Sequence, residues 1–130
     1  MAIVKNNFSI INENEEKLPK IPFAEIKEAS LGNNYSLSVI FTSSAKIKKL
    51  NLIYRDKKTS TDILSFPLNK NEGEIYISLS EAKKEAKKFD RQFDNFIGFL
   101  FIHGCVHLIG YDHGSTMENI EVKLRRKFDI

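Results

Sequence analysis

All three histidines of this 130-residue chain fall in one short stretch, "HGCVHLIGYDH", His103 to His113. His103 and His107 are four residues apart, so on a helix both project from one face, near enough for two ring nitrogens to share a metal ion. Gly110 lets the backbone turn sharply, and His113 can then swing back to the same ion. Three neutral imidazoles leave a tetrahedral ion with one open position. On zinc that position holds water, lowers its pKa and offers a nucleophile or Lewis acid, whereas a structural zinc is more often closed by a cysteine. Cys105, two residues past His103, points to roughly the opposite side of the helix and reads as a small core residue. Asp112 could orient an imidazole, accept a proton from bound water or cap the turn, and spacing does not rank these roles.

The same spacing of histidines and glycine occurs in zinc proteases of the H-E-x-x-H-x-x-G-x-x-H type. Here the position after the first histidine is Gly104, which can neither take nor give a proton. Peptide hydrolysis by that mechanism lacks its base, and a different substrate class is expected.

The elements that must position these residues follow from periodicity. The opening "IVKNNFSII" predicts one edge strand, and Pro22 to about Ser30 a short helix stopped by Gly32. In "YSLSVIF" Tyr35, Leu37, Val39 and Phe41 alternate with Ser36, Ser38 and Ile40, a half-buried strand pattern. Ser43 or Ser44 caps a helix with Ile47, Leu50 and Ile53 or Tyr54 on its apolar stripe. Arg55 to Thr61 is a polar loop. "DILSF" is a strand ended by Pro67, pairing antiparallel with "GEIYIS". Ser80 caps a helix to about Phe89, and the segment from Phe93 to Ile109, apolar on all sides, is a buried central helix that Gly110 ends. A capping box, Ser115-x-x-Glu118, opens a last helix with Met117, Ile120, Leu124 and Phe128 on one face. The expected fold is α+β, one domain over residues 1–130, a small mixed sheet packed against helices.

The bulk properties agree. The length suffices for a core without disulfides, and the longest apolar run, Phe96 to Ile109, is too short and too interrupted to cross a bilayer. No membrane association is expected. The N-terminus lacks a basic segment leading into an apolar block, and one cysteine cannot form an internal disulfide, so a cytoplasmic setting is expected. A net charge of +3 and a pI near 8.9 lean weakly towards a polyanionic partner. The basic groups "KIKK", "RDKK", "KKEAKK" and "RRK" also suit solvated helix faces.

The string "HGCVHLIGYDH" resembles the H-G-x-L-H-L-x-G-Y-D-H signature of the YbeY family of bacterial endoribonucleases and rRNA maturation factors. Upstream, "YRDKKTSTDILSFP" (Tyr54 to Pro67) is similar to that family's Y-R-x-K-x-x-P-T-D-V-L-S-F-P block, and "GEIYIS" to its G-D-I-x-I strand. Ser60, Glu74 and Val106 depart from the pattern, and none of them is a metal ligand. The resemblance implies a zincin-like site, with one zinc ion per chain held by His103, His107 and His113 on and just after the central helix. It implies that Arg55 takes part in RNA binding or catalysis. A guanidinium can grip a phosphate with two hydrogen bonds and offset charge developing at the phosphodiester. Lys57 and Lys58 are further substrate-binding candidates, and Arg55 and Asp112 the catalytic ones. Thr61, Asp62, Ser65 and Phe66 could shape the loop and line the cleft, or be structural. The implied function is zinc-dependent cleavage of single-stranded RNA in maturation of the 3′ end of small-subunit rRNA and in ribosome quality control. The small ribosomal subunit and a ribosome-assembly GTPase are the implied partners. Two other readings stay open: an assembly factor with a structural zinc, and a zinc hydrolase of another substrate, which Gly104 opposes.

Overall fold

A computed structural model describes residues 2–5, 7–110 and 114–130. Five strands form one sheet: β1 (Ala2–Lys5), β2 (Phe8–Asn12), β3 (Ser36–Thr42), β4 (Ile63–Asn69) and β5 (Glu72–Ser78). Their order is β1-β2-β3-β5-β4. The three inner strands run parallel, and each edge strand is antiparallel to its neighbour. The helices are α1 (Phe23–Leu31), α2 (Ser44–Arg55), α3 (Leu79–Lys88), α4 (Phe93–Ile109) and α5 (Ser115–Phe128). The expected α+β class with a mixed sheet is what the chain adopts.

The alternation of β5 assigns the helices to faces. Gly73 and Ile75 meet Leu108 and Gly104 of α4, whereas Tyr76 points the other way, to Phe66 and through it to Tyr54 of α2. α4 with α1 and α5 therefore covers one face, and α2 lies on the other. On the α4 side Phe8, Phe23, Phe41 and Phe101 form an interlocked aromatic centre, with Phe23 edge-on to Phe101 at 5.1 Å and to Phe41 at 5.7 Å. The inward alternation of Tyr35, Leu37, Val39 and Phe41 holds, but Ile40 and Thr42 on the other side of β3 are buried too. β3 is a central strand with helices over both faces, so it is not half-buried.

Several local expectations are corrected. The single N-terminal strand is a β1–β2 hairpin, with Asn7 at φ 64°, a left-handed conformation that asparagine tolerates. Pro67 does not end β4, which pairs on to Asn69 with a register shift after the proline. β4 is an edge strand, where a missing N–H costs little. Ser78, not Ser80, caps α3, its hydroxyl accepting from the Glu81 N–H at 3.2 Å. The capping box at Ser115 does not form, because Gly114 occupies the cap position and Ser115 is already helical. On α2 only Ile47 of the expected stripe is fully buried, while Ile53 and Tyr54 are exposed. Ser43 does cap α2, and Gly110 ends α4 at φ 111°, its N–H donating to the His107 carbonyl. Among the described residues no helix is long and apolar enough to cross a membrane.

Candidate functional site

α4 is buried nearly all round because the sheet, α1, α3 and α5 all pack on it. His103 and His107 are its half-exposed polar exceptions. Their rings lie edge-on with centroids 4.6 Å apart, as the four-residue spacing requires. The Nδ1–H of His103 donates to Oε1 of Glu121 at 2.8 Å. A carboxylate only accepts, so this bond fixes the tautomer whose lone pair is on Nε2, the form a metal ligand needs. Glu121 itself is 7% exposed, a carboxylate committed to this task within the α4–α5 interface.

Glu121 is the residue that sequence reasoning missed. It sits four residues after Met117 and three before Leu124, on the stripe that α5 buries. A carboxylate in register with an apolar stripe is the signal that was available. His113 and Asp112 lie outside the described residues. Among the described residues no three His, Cys, Asp or Glu side chains form a metal cluster. The described part of the donor set is two imidazoles with one oriented by a carboxylate, and it fits a zinc-type ion.

Gly104 has a structural reason. A Cβ there would lie 3.0 Å from Ile63 Cδ1, Ile75 Cδ1 and Ser65 Oγ, so side chains of β4 and β5 crowd the position that is glutamate in the zinc-protease string. The helix approaches the sheet through this glycine, and Ser65 Oγ donates a long hydrogen bond, 3.5 Å, to the Gly104 carbonyl. Cys105, as expected, is buried, and burial pushes its thiol up to about 12. It is inert as a nucleophile at neutral pH.

The basic candidates lie at the end of α2 and in the loop that follows it. Arg55 is the last residue of α2, followed by Asp56 at φ 54°, and its side chain is exposed. Lys57 and Lys58 are exposed in the loop that follows. That loop is pinned to α2 by Asn51, whose amide donates to the Thr59 carbonyl at 2.8 Å, and by the Ser44–Ser60 hydroxyl pair at 3.0 Å. Lys58, Lys48 and Lys49 share a shallow depression of about 430 Å³ with Ala45 and Leu52. Ser65 and Phe66, adjacent on β4, part company: Ser65 faces α4, and Phe66 faces α2. Asp62 stands just before β4, its carbonyl accepting from the Ser78 N–H at 2.9 Å. Burial raises its carboxyl above the usual range, with Glu85 adding to the effect, while Thr61 and backbone N–H groups oppose it.

Comparison with known proteins places this arrangement. The family model described as Endoribonuclease YbeY matches residues 3–128. A protein of Syntrophomonas wolfei named Endoribonuclease YbeY is 29% identical, covering 97% of this chain and 94% of its own length. The relative of the same name from Vesicomyosocius okutanii is 33% identical over 100% of this chain and 97% of its own, and that from Staphylococcus epidermidis 36% identical over 78% and 74%. The solution structure of a Thermotoga maritima protein is similar with a TM-score of 0.65 at 29% identity, covering 92% of this chain and 88% of that one. With the match running through both histidine-bearing α4 and Glu121-bearing α5, the chain belongs to the YbeY endoribonuclease family.

Proposed function

We propose that this protein is a metal-dependent endoribonuclease that cleaves single-stranded RNA in the maturation of small-subunit rRNA. The observation that carries this reading is the His103–His107 pair on a buried helix, with His103 oriented by Glu121, in a chain of a family named for endoribonuclease activity. His103, His107 and, by spacing, His113 would hold one zinc ion. When bound, zinc supplies a Lewis acid that draws charge from a phosphoryl oxygen.

The protein's own groups do the rest. Glu121 holds the His103 proton on Nδ1, and the packing of α4 keeps both imidazoles at fixed spacing. Arg55 offers a planar fork of donors to a phosphate, and Lys57 and Lys58 extend the positive field along the strand. Asp112 is the candidate to accept the nucleophile's proton. A cyclic phosphate on the product would identify a 2′-hydroxyl nucleophile, and its absence would identify water. The ribosomal substrate implies work in the cytoplasm, with the small subunit and an assembly GTPase as partners.

The test is metal content by mass spectrometry alongside cleavage of a short single-stranded rRNA fragment. Wild type is expected to carry about one zinc per chain. His113→Ala should lose the metal, and Arg55→Ala should keep metal and fold but stop cutting. Zinc bound without any cleavage, even with ribosomal subunits supplied, would overturn the catalytic reading in favour of an assembly factor with a structural zinc.

A further inference from the structure

Beside His103, α4 and α5 border an open groove of about 340 Å³ lined by Phe99, His103, Met117, Glu118, Glu121 and Arg125. Phe99 precedes His103 by one helical turn on the same face of α4. Its ring stacks on Phe96, which stacks in turn on Phe89. Two guanidinium groups are also drawn to it. Cζ of Arg91, from the connection between α3 and α4, is 4.8 Å from the Phe99 centroid, and Cζ of Arg125, from α5, is 5.2 Å away. The two cations can be no further apart than the sum of those distances.

Two like charges against one ring repel unless something offsets them. The ring quadrupole contributes a little, and Arg91 Nη1 donates to the neutral Oδ1 of Asn95. Among the described residues neither arginine forms an ion pair with a carboxylate. Glu121, the buried acid of the same groove, is committed to His103. Glu118, exposed on the groove wall, opposes an incoming anion. Both arginines are half-buried, so their order is partly in place before a ligand arrives. Two ordered guanidinium forks without a counter-charge, beside the site proposed for phosphodiester chemistry, suit the phosphate oxygens of an RNA backbone.

We propose that Arg91 and Arg125, both held against Phe99, bind the phosphate backbone of single-stranded RNA a helical turn along α4 from His103. The proposal rests on the ribonuclease reading above. It gives the RNA a second grip, separate from Arg55 and the lysines on the α2 side.

The experiment is fluorescence anisotropy of a labelled single-stranded RNA with the zinc-loaded full chain, titrated from about 50 to about 200 mM salt. Arg91→Gln and Arg125→Gln should each weaken binding roughly 5- to 20-fold and lower the salt slope by about 0.7, the share of one phosphate on a single strand. The double variant should lower the slope by about twice as much, one phosphate contact for each arginine. Glu118→Gln should tighten binding. If wild type binds RNA and the double variant keeps its slope, the subsite is overturned and the ribonuclease reading stands. If wild type shows no salt-dependent binding, the RNA reading falls and the subsite with it. Should the glutamine variants not fold, Arg91→Lys and Arg125→Lys keep the charge and the ring contact but not the fork. They should bind roughly threefold more weakly at an unchanged slope, and wild-type affinity in both would overturn the proposal.

Discussion

The two faces of the sheet are built to different standards. On the α4 side, helix and sheet meet through Gly104, where even a methyl group would press on three side chains, and an acid 7% exposed fixes the tautomer of His103. On the α2 side a basic helix leaves Ile53 59% and Tyr54 67% exposed, and its arginine and lysines stand in solvent. The difference suits the chemistry proposed for each face. A metal ligand set tolerates only small positional error, so it needs a packed and hydrogen-bonded surround. A phosphate strand is held by long-range charge, which works from mobile side chains at a surface.

The sharpest way to break this comparison is to insert the same group on both faces. Gly104→Glu forces a side chain against Ile63, Ile75 and Ser65, and overpacking of that kind costs about 3 kcal/mol. Thermal unfolding should shift down by roughly 10 °C for a chain of this size. The protease-like string it creates should bring no peptidase activity. Ile53→Glu, on exposed α2, should change stability by less than about 0.5 kcal/mol. Equal shifts in the two variants would show that the faces do not differ in packing.

A smaller effect sharpens the metal half. Glu121→Gln keeps the volume and a hydrogen-bonding group but loses the charge that holds the proton on Nδ1. Zinc affinity should fall roughly 10- to 100-fold. Cleavage should drop at limiting zinc and recover in excess, with little change in RNA affinity. Unchanged zinc affinity would reduce Glu121 to a structural residue.

What was legible in the sequence divides along the same line. The central helix, its glycine stop and the histidine pair are local: period, spacing and one turn residue state them. Glu121 reaches His103 from another helix, across eighteen positions of chain. Only the burial of its stripe could have hinted at it, since two helices' relative rotation is a tertiary fact. The runs through Pro67 and the shift of a cap from Ser80 to Ser78 were missed for a related reason. Whether a strand is at an edge, or which of two serines meets the helix first, depends on neighbours that propensity does not see. The placement of α2 opposite α4 was equally invisible, because it depends on the parity of β4 and β5.

The seam between the faces gives the finest test. Asp62 lies between the α2 loop and β4, and burial holds its carboxyl above the ordinary value of 3.8. A raised folded pKa means that the native state binds more protons than the unfolded chain between 3.8 and the raised value. That contribution to stability is present below 3.8 and is lost as pH rises through the folded pKa. At neutral pH the ionised group therefore works against folding, and Asp62→Asn, which can still accept from Thr61 and the backbone, should raise the urea midpoint modestly. The gain should shrink as pH falls through the raised pKa, where wild-type Asp62 takes up its proton. A gain that persists undiminished in acid would mean that burial of the charge is not what Asp62 costs at this seam, and that its carboxylate is better hydrated or better paired than its surroundings imply.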